Sequence, residues 1–262
     1  MNPARAIIGL QGEEARDFLH GLLTNAVLDV SPGHPVFAAL LTPQGKILHT
    51  LFVHAAPDGG LRLDVAAAGA DDLIRRLTMF RLRRKIGIED LRGKLSLALG
   101  EGAPDPRHPG LPARGFIEGP ERADSSREQW AAYDSTRIAL AIPDQGCDYG
   151  AEEIFPADAN LDLLNGVDLK KGCFVGQEVV SRMHRKGGVR KRMCAIRFEG
   201  PAPEYGAQIF DETNADIGTV RSTSGQTGLA LVRIDRLAEA QGALTANGQA
   251  LQIALPERAL AA

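Results

Sequence analysis

Apolar residues at Ala15, Phe18, Leu19, Leu22 and Leu23 recur at spacings of three and four, which predicts an amphipathic helix over 13–24. Glu13 and Glu14 fall in its first turn, where carboxylates complement the helix dipole. Three apolar segments follow, 36–41, 46–55 and 61–65, separated by the turn-forming runs Thr42-Pro-Gln-Gly45 and Pro57-Asp-Gly-Gly60. They predict an antiparallel meander on which the helix packs. Asp71 and Asp72 open a second helix, with Leu73, Ile74, Leu77, Phe80 and then Ile86 expected inside, and Arg75, Arg76, Arg83, Arg84 and Lys85 in water or against anions. Strands with helices on one side define an α+β class.

Residues 100–127 carry five prolines and several glycines and are read as irregular. The alternation in Arg137-Ile-Ala-Leu-Ala-Ile142 reads as a strand ending at Pro143. From Val189 the chain changes character. Short apolar segments at 189–198, 207–210, 217–222, 228–233, 243–246 and 249–255, separated by glycine turns, predict a small antiparallel barrel or sandwich. The expected boundary lies at 186–190, leaving an α+β region over 1–188 and a barrel over 189–262.

At 262 residues and 44% hydrophobic content the chain can bury two or three compact cores, which excludes a disordered protein. A net charge of −3 and a pI near 6.1 exclude a general polyanion binder, so partners must be argued from local clusters. No run of 18 apolar residues occurs, and Met1–Leu10 lacks the charged head, apolar stretch and cleavage site of a signal peptide. A cytoplasmic protein with no membrane partner is expected. The three cysteines, Cys147, Cys173 and Cys194, form no CxxC pair, so neither a disulfide framework nor a zinc ribbon is implied, and no tightly bound metal is expected.

Unusual residues concentrate between Lys170 and Arg192. Gly172 and Gly176 let the backbone turn sharply about Cys173, and Gln177–Met183 reads as a helix, so the thiol approaches a helix N-terminus beside Lys170 and Lys171. Both influences lower a cysteine pKa from about 8.5 toward neutrality and suit a nucleophile or a metal or cluster contact. A buried packing role is the alternative for each cysteine. The basic run Arg182, Arg185, Lys186, Arg190, Lys191 and Arg192 reads either as a solvated loop or as an RNA-binding surface over 182–192.

The stretch Lys171-Gly-Cys-Phe-Val-Gly-Gln-Glu178 resembles the K-G-C-[FY]-x-G-Q-E signature of the YgfZ family, which includes mitochondrial factors for late iron–sulfur assembly. The similarity extends to Phe18-Leu-His-Gly-Leu-Leu-Thr-Asn25, Gln44-Gly-Lys-Ile-Leu48, Phe155-Pro156, Asn160 to Asp168, Val179-Val-Ser-Arg182 and Gly218 to Arg233, nearly the whole chain. The resemblance implies a T-protein-like fold, with ferredoxin-like lobes around a central channel for tetrahydrofolate and a terminal barrel. It also implies an accessory role toward iron–sulfur assembly or client proteins. Cys173 and Lys171 would be the functional pair, with Gly172, Gly176, Gln177 and Glu178 completing the motif. A reduced pterin needs acceptors for its N–H groups, for which Asp158, Asp162 and Glu178 are candidates. Its glutamate tail needs cations, offered by Arg182 and by Arg76, Arg83 or Arg84.

Two features depart from the T-protein pattern, and a third from related YgfZ-like chains, which often carry an acid or amide directly after the proline corresponding to Pro156. Gly45-Lys-Ile-Leu48 is followed by His49 and Thr50 where T-proteins carry adjacent aspartates, and Ala139 replaces a pterin-facing glutamate. The residue after Pro156 is Ala157, with the acid one place later at Asp158. Glycine-cleavage aminomethyl transfer is therefore not expected. The enzymatic alternative is a folate-dependent one-carbon transferase or demethylase with His49 as base.

Overall fold

Strands β1 (Arg5–Gln11), β2 (Val36–Leu41), β3 (Ile47–Ala55), β4 (Leu61–Ala66) and β5 (Gly87–Asp90) pair antiparallel in the order β2-β3-β4-β1-β5 in the computed structural model, which describes residues 4–120, 123–185 and 187–256. The predicted meander is its β2-β3-β4 part. Both faces of this sheet are covered, which is why β2 and β3 read as nearly continuous apolar runs. On one face Ile8, Leu10, Leu40, Leu51, Val53 and Leu63 pack with Phe18 and Leu19 of α1 (Ala15–Leu22) and Leu73 and Leu77 of α2 (Ala70–Arg81). On the other, Phe37, Leu41, Ile47 and Phe52 meet residues of the later chain, among them Ile138, Phe174 and Met193.

Phe80 departs from expectation. It is 39% exposed, because α2 stops at Arg81 and the chain reverses to bring Ile86 into the core instead. The proline-rich stretch also holds more order than expected: β6 (Leu95–Ala103) and β7 (Arg114–Glu118) form an antiparallel hairpin whose intervening loop contains Pro104, Pro106, Pro109 and Pro112. The strand expected at 137–142 is instead the end of α3 (Ala123–Ala139) and the turn after it. Trp130, Tyr133 and Arg137, at intervals of three and four, form the buried helical face, and Ala141 takes a left-handed φ of 54° that reverses the chain.

Between the sheet, the hairpin and α3 lies a buried ionic network. Asp64 of β4 accepts from Arg5 Nε (2.7 Å) and Arg114 Nη2 (2.6 Å). Asp105 accepts from Arg107 (2.8 Å), and Arg107 also donates to Asp144 (2.7 Å) and to the Tyr133 hydroxyl (2.7 Å). Arg137 reaches Asp148 (2.6 Å). The guanidinium groups of Arg107 and Arg114 lie 4.8 and 4.0 Å from the centroid of the Phe52 ring. Burial alone would raise the Asp144 pKa, but Arg107 and Arg137 outweigh it and hold the carboxyl well below its usual range.

The six segments from residue 189 onward are β8 (Lys191–Phe198), β9 (Gln208–Phe210), β10 (Asp216–Ser224), β11 (Thr227–Arg233), β12 (Leu244–Ala246) and β13 (Gln249–Ala254). They close into a barrel in the order β10-β11-β8-β13-β12-β9, around a core that includes Cys194, Ile196, Ile209, Val220 and Leu251. Among the described residues no helix is long and apolar enough to cross a membrane.

Removing one member of the network leaves its partners charged and buried, so Arg107→Met is expected to cost about 3–5 kcal/mol in urea unfolding. A second prediction concerns pH. Burial pushes the pKa of His54 down from 6.5 to about 4, and its Nε2 has no hydrogen-bond partner among the described residues. The unfolded chain then binds more protons than the folded one, so stability is complete above pH 6.5 and falls as pH drops toward about 4. His54→Leu should flatten that part of the stability–pH curve.

Candidate functional site: the Cys173 loop and its cleft

The segment Lys171–Gly176 leads into α4 (Gln177–Arg185), and its side chains alternate in role. Cys173 is exposed, whereas Phe174 is buried in the core beneath the sheet. Lys171 is half-buried, and its Nζ donates to the carbonyls of His20 and of Leu23 (2.9 Å) at the C-terminal end of α1. These are carbonyls that a helix end leaves without backbone donors. In return His20 Nε2 lies 3.2 Å from the Lys171 carbonyl. Burial lowers the Lys171 pKa, with Asp168 and Cys173 opposing it, so the ammonium lies within the electrostatic reach of the thiol although its hydrogen bonds go to α1.

Gly176 has a φ of +80°, and a Cβ there would lie 2.7 Å from the Thr42 carbonyl and 3.0 Å from the Gly45 Cα. The β2–β3 turn and the start of α4 therefore meet backbone to backbone. Two stretches that the sequence singled out separately, Gln44–Leu48 and Lys171–Glu178, form one unit. Thr24 and Asn25 complete it: Thr24 Oγ1 donates to the Gly166 carbonyl (2.7 Å), and Asn25 Nδ2 donates to the carbonyls of Phe37 (2.9 Å) and Asn165 (2.6 Å).

Beside this loop is a cleft of about 470 Å³. Pro156, Val167, Leu169, Val180 and Val189 supply apolar walls, while Asn25, Asp162, Asp168, Lys170 and His184 supply polar groups. Of the seven residues named for the cofactor, Asp158, Asp162, Glu178, Arg182, Arg76, Arg83 and Arg84, only Asp162 lines it. Asp162 is held by both Nη atoms of Arg192 at 2.8 Å. Asp158 is buried and accepts the Phe155 N–H (3.0 Å), with burial raising its pKa. Glu178 and Arg182 are exposed on α4 and do not line the cleft. Asn25, Asp168 and His184 were not among the cofactor candidates; Asn25 and Asp168 lie in the stretches that carry the resemblance, while no pattern marked His184.

The remaining candidates divide clearly. Arg192 is buried against Asp162 and so is withdrawn from the expected basic surface, whereas Arg182, Arg185, Arg190 and Lys191 are exposed and Lys186 lies outside the described residues. His49 is buried on β3 with Nε2 2.8 Å from Asp72 Oδ2 at the start of α2, and burial lowers its pKa. Arg76 also binds Asp72 (2.6 Å). Ala139 lines a separate small cavity of about 230 Å³ with Arg107, His108 and Asn160. Burial pushes the thiols of Cys147 and Cys194 up to about 12.

The sheet, the buried network and the closed barrel define a T-protein-like α+β fold. The structure superposes on the glycine cleavage system aminomethyltransferase T of Bartonella henselae with a TM-score of 0.75, covering 96% of this chain and 83% of that one; at 18% identity the likeness is one of fold. Residues 190–260 match the family described as CAF17, C-terminal beta-barrel domain. Along most of its length the chain is similar to iron–sulfur cluster assembly factors named IBA57. It is 30% identical to the mitochondrial homolog of Mycosarcoma maydis over 80% of this chain, spanning 59% of that protein. It is 29% identical to the mitochondrial factor of Homo sapiens over 89% of this chain and 76% of that protein.

Native protein should therefore react with a thiol reagent fastest at Cys173, far more slowly at the half-buried Cys147, whose pKa is raised, and at the buried Cys194 only after unfolding. Lys171→Met should remove the tie to α1 at a cost of about 1–3 kcal/mol, visible as faster amide exchange in 171–176 with the barrel unchanged.

Proposed function

We propose that this chain is a YgfZ-type accessory protein for the assembly or repair of iron–sulfur proteins, which binds tetrahydrofolate and offers Cys173 to a site completed by another molecule. The observation that carries the reading is the division among the cysteines: the Cys173 thiol is exposed on an anchored loop, Cys194 is buried, and Cys147 is half-buried with burial pushing its pKa up to about 12. Among the described residues no three His, Cys, Asp or Glu side chains gather into a metal-holding group. One exposed cysteine supplies one ligand, so the rest of any cluster site would belong to a partner. The names of the IBA57 relatives support the same assignment.

The cleft beside the loop suits a folate chemically. Asp162, Asp168 and Asn25 are acceptors for pterin N–H groups, Val167, Leu169 and Val180 are walls for its ring, Lys170 is a cation for the glutamate tail, and His184 is a ring N–H donor to it. When bound, tetrahydrofolate would supply reducing power or a one-carbon unit. The transferase alternative is less well supported, because His49 is buried and engaged by Asp72. The RNA alternative loses Arg192 to Asp162.

The test pairs anaerobic calorimetry with tetrahydrofolate and the activity of an iron–sulfur enzyme in cells dependent on this chain. Wild type and Cys173→Ala should bind folate equally, and only wild type should restore the enzyme. Lys170→Glu should weaken folate binding about tenfold or more, the worth of a charged hydrogen bond. Restoration by Cys173→Ala would remove the thiol from the account, and absence of binding by wild type would remove the folate.

A further inference from the structure

The end of α2 combines features that a solitary surface does not favour. Leu82 is 85% exposed, Met79 56% and Phe80 39%, so half of the exposed large hydrophobic residues described fall within four positions. Leu82 also has a φ of 51° and a ψ of −113°, a left-handed conformation that costs a branched side chain roughly 1–3 kcal/mol and suits glycine. The turn is held there by Arg81 Nη1 donating to the Ile86 carbonyl (2.8 Å) and by the Arg84 N–H donating to the Arg81 carbonyl (2.9 Å). Exposure and strain are thus both imposed on one leucine.

Around it the charge is of one sign. No acid occurs between Leu73 and Ile88, while Arg75, Arg76, Arg81, Arg83, Arg84 and Lys85 do, in a chain whose net charge is −3. Arg75 and Arg76 are bound to Asp72. Among the described residues Arg83, Arg84 and Lys85 form no ion pair with a carboxylate. Arg81, Leu82, Arg83 and Arg84 line a shallow concavity, with Glu14 on its rim as the one acid.

This surface is joined to the candidate site by α1. At the N-terminal end of α1, Glu14 accepts the Lys85 N–H (3.3 Å) and Arg84 lies 5.6 Å from the Phe18 ring centroid. At the other end, His20 and Leu23 hold Lys171. The eight residues of α1 span about 12 Å, so one protein seated on the concavity reaches the thiol loop without leaving the surface.

We propose that Met79–Lys85 is the dock for the partner that completes the Cys173 site, and that it receives an acidic segment carrying an exposed apolar side chain. The apolar residue packs on Leu82 and Met79, and the flanking carboxylates meet Arg83 and Arg84. The proposal rests on the accessory reading above. A protein segment fits better than a bilayer because the surface is concave and α2 turns its apolar stripe, Leu73 and Leu77, inward.

The experiment uses the full chain and a fluorescein-labelled synthetic peptide with a Leu-Phe pair flanked by aspartates, read by anisotropy. Wild type should bind it and release it as salt rises. Arg83→Glu/Arg84→Glu and, separately, Leu82→Gly should each weaken binding at least about tenfold, as a central interface residue does. Leu82→Gly should melt no lower than wild type, because glycine accepts the backbone conformation. Cys173→Ala should bind as wild type does, which separates failure of the dock from failure of the thiol assignment. In cells, both dock variants should lose iron–sulfur enzyme activity. The proposal is overturned if wild type does not bind the peptide, if the variants bind it undiminished, or if they lose it yet restore the enzyme fully. Preference of wild type for phosphatidylserine vesicles over the peptide, abolished by Leu82→Gly, would assign the surface to a membrane instead.

Discussion

Neutralisation of the buried guanidinium groups fixes how the parts of this molecule sit together. Arg107, Arg114 and Arg137 are among the largest fully buried side chains, and each is inaccessible to water. Their counterions come from separate stretches: Asp64 from the sheet, Asp105 from the hairpin loop, and Asp144 and Asp148 from the loop after α3. Such a network adds little net stability over an apolar core, but its members tolerate few relative positions. Asp148 also accepts the Ser222 N–H (3.3 Å), which extends the constraint to the barrel. Gln145, in the same loop, donates to the Leu48 carbonyl (2.7 Å) and accepts the Thr50 N–H (2.6 Å), binding it back to β3.

The candidate site depends on this arrangement. The Cys173 loop has no regular structure of its own and takes its shape from α1, from the β2–β3 turn and from the core under the sheet. Asn160, with a left-handed φ of 58°, donates to the carbonyls of Ala141 (3.1 Å) and Met193 (2.7 Å), so one amide joins the end of α3 to the first barrel strand. That join lies in the stretch that also contributes Asp162 to the cleft.

How far the sequence could be read follows from which forces are local. The meander and the six barrel strands were visible because alternation, turn residues and apolar runs are properties of neighbouring positions. The α3 segment was misread because Arg137–Ile142 alternates by coincidence, while its helical period rests on Trp130, Tyr133 and a buried arginine that counts as polar. The β6–β7 hairpin was hidden by prolines that fall in its loop rather than in its strands. The Cys173 motif was legible as a motif. Its supports were not, because the pairing of Lys171 with His20 spans 151 residues and Arg192 looks like any other cation in a basic run. Asp162 illustrates the same limit, since an acid that faces a cleft and an acid that clamps an arginine have the same signature in one dimension.

The close approach of Gly176 to Gly45 bears on how this thiol can be used. With Phe174 sunk in the core and Lys171 tethered, Cys173 has little room to travel, so it acts as a stationary post rather than a swinging arm. In the proposed accessory role, cargo would therefore be brought to it and taken from it by whatever docks alongside, and the timing of transfer would be set by arrival and departure of that visitor. Two glycines that never touch the cargo would then govern the traffic, by keeping the post where the visitor expects it.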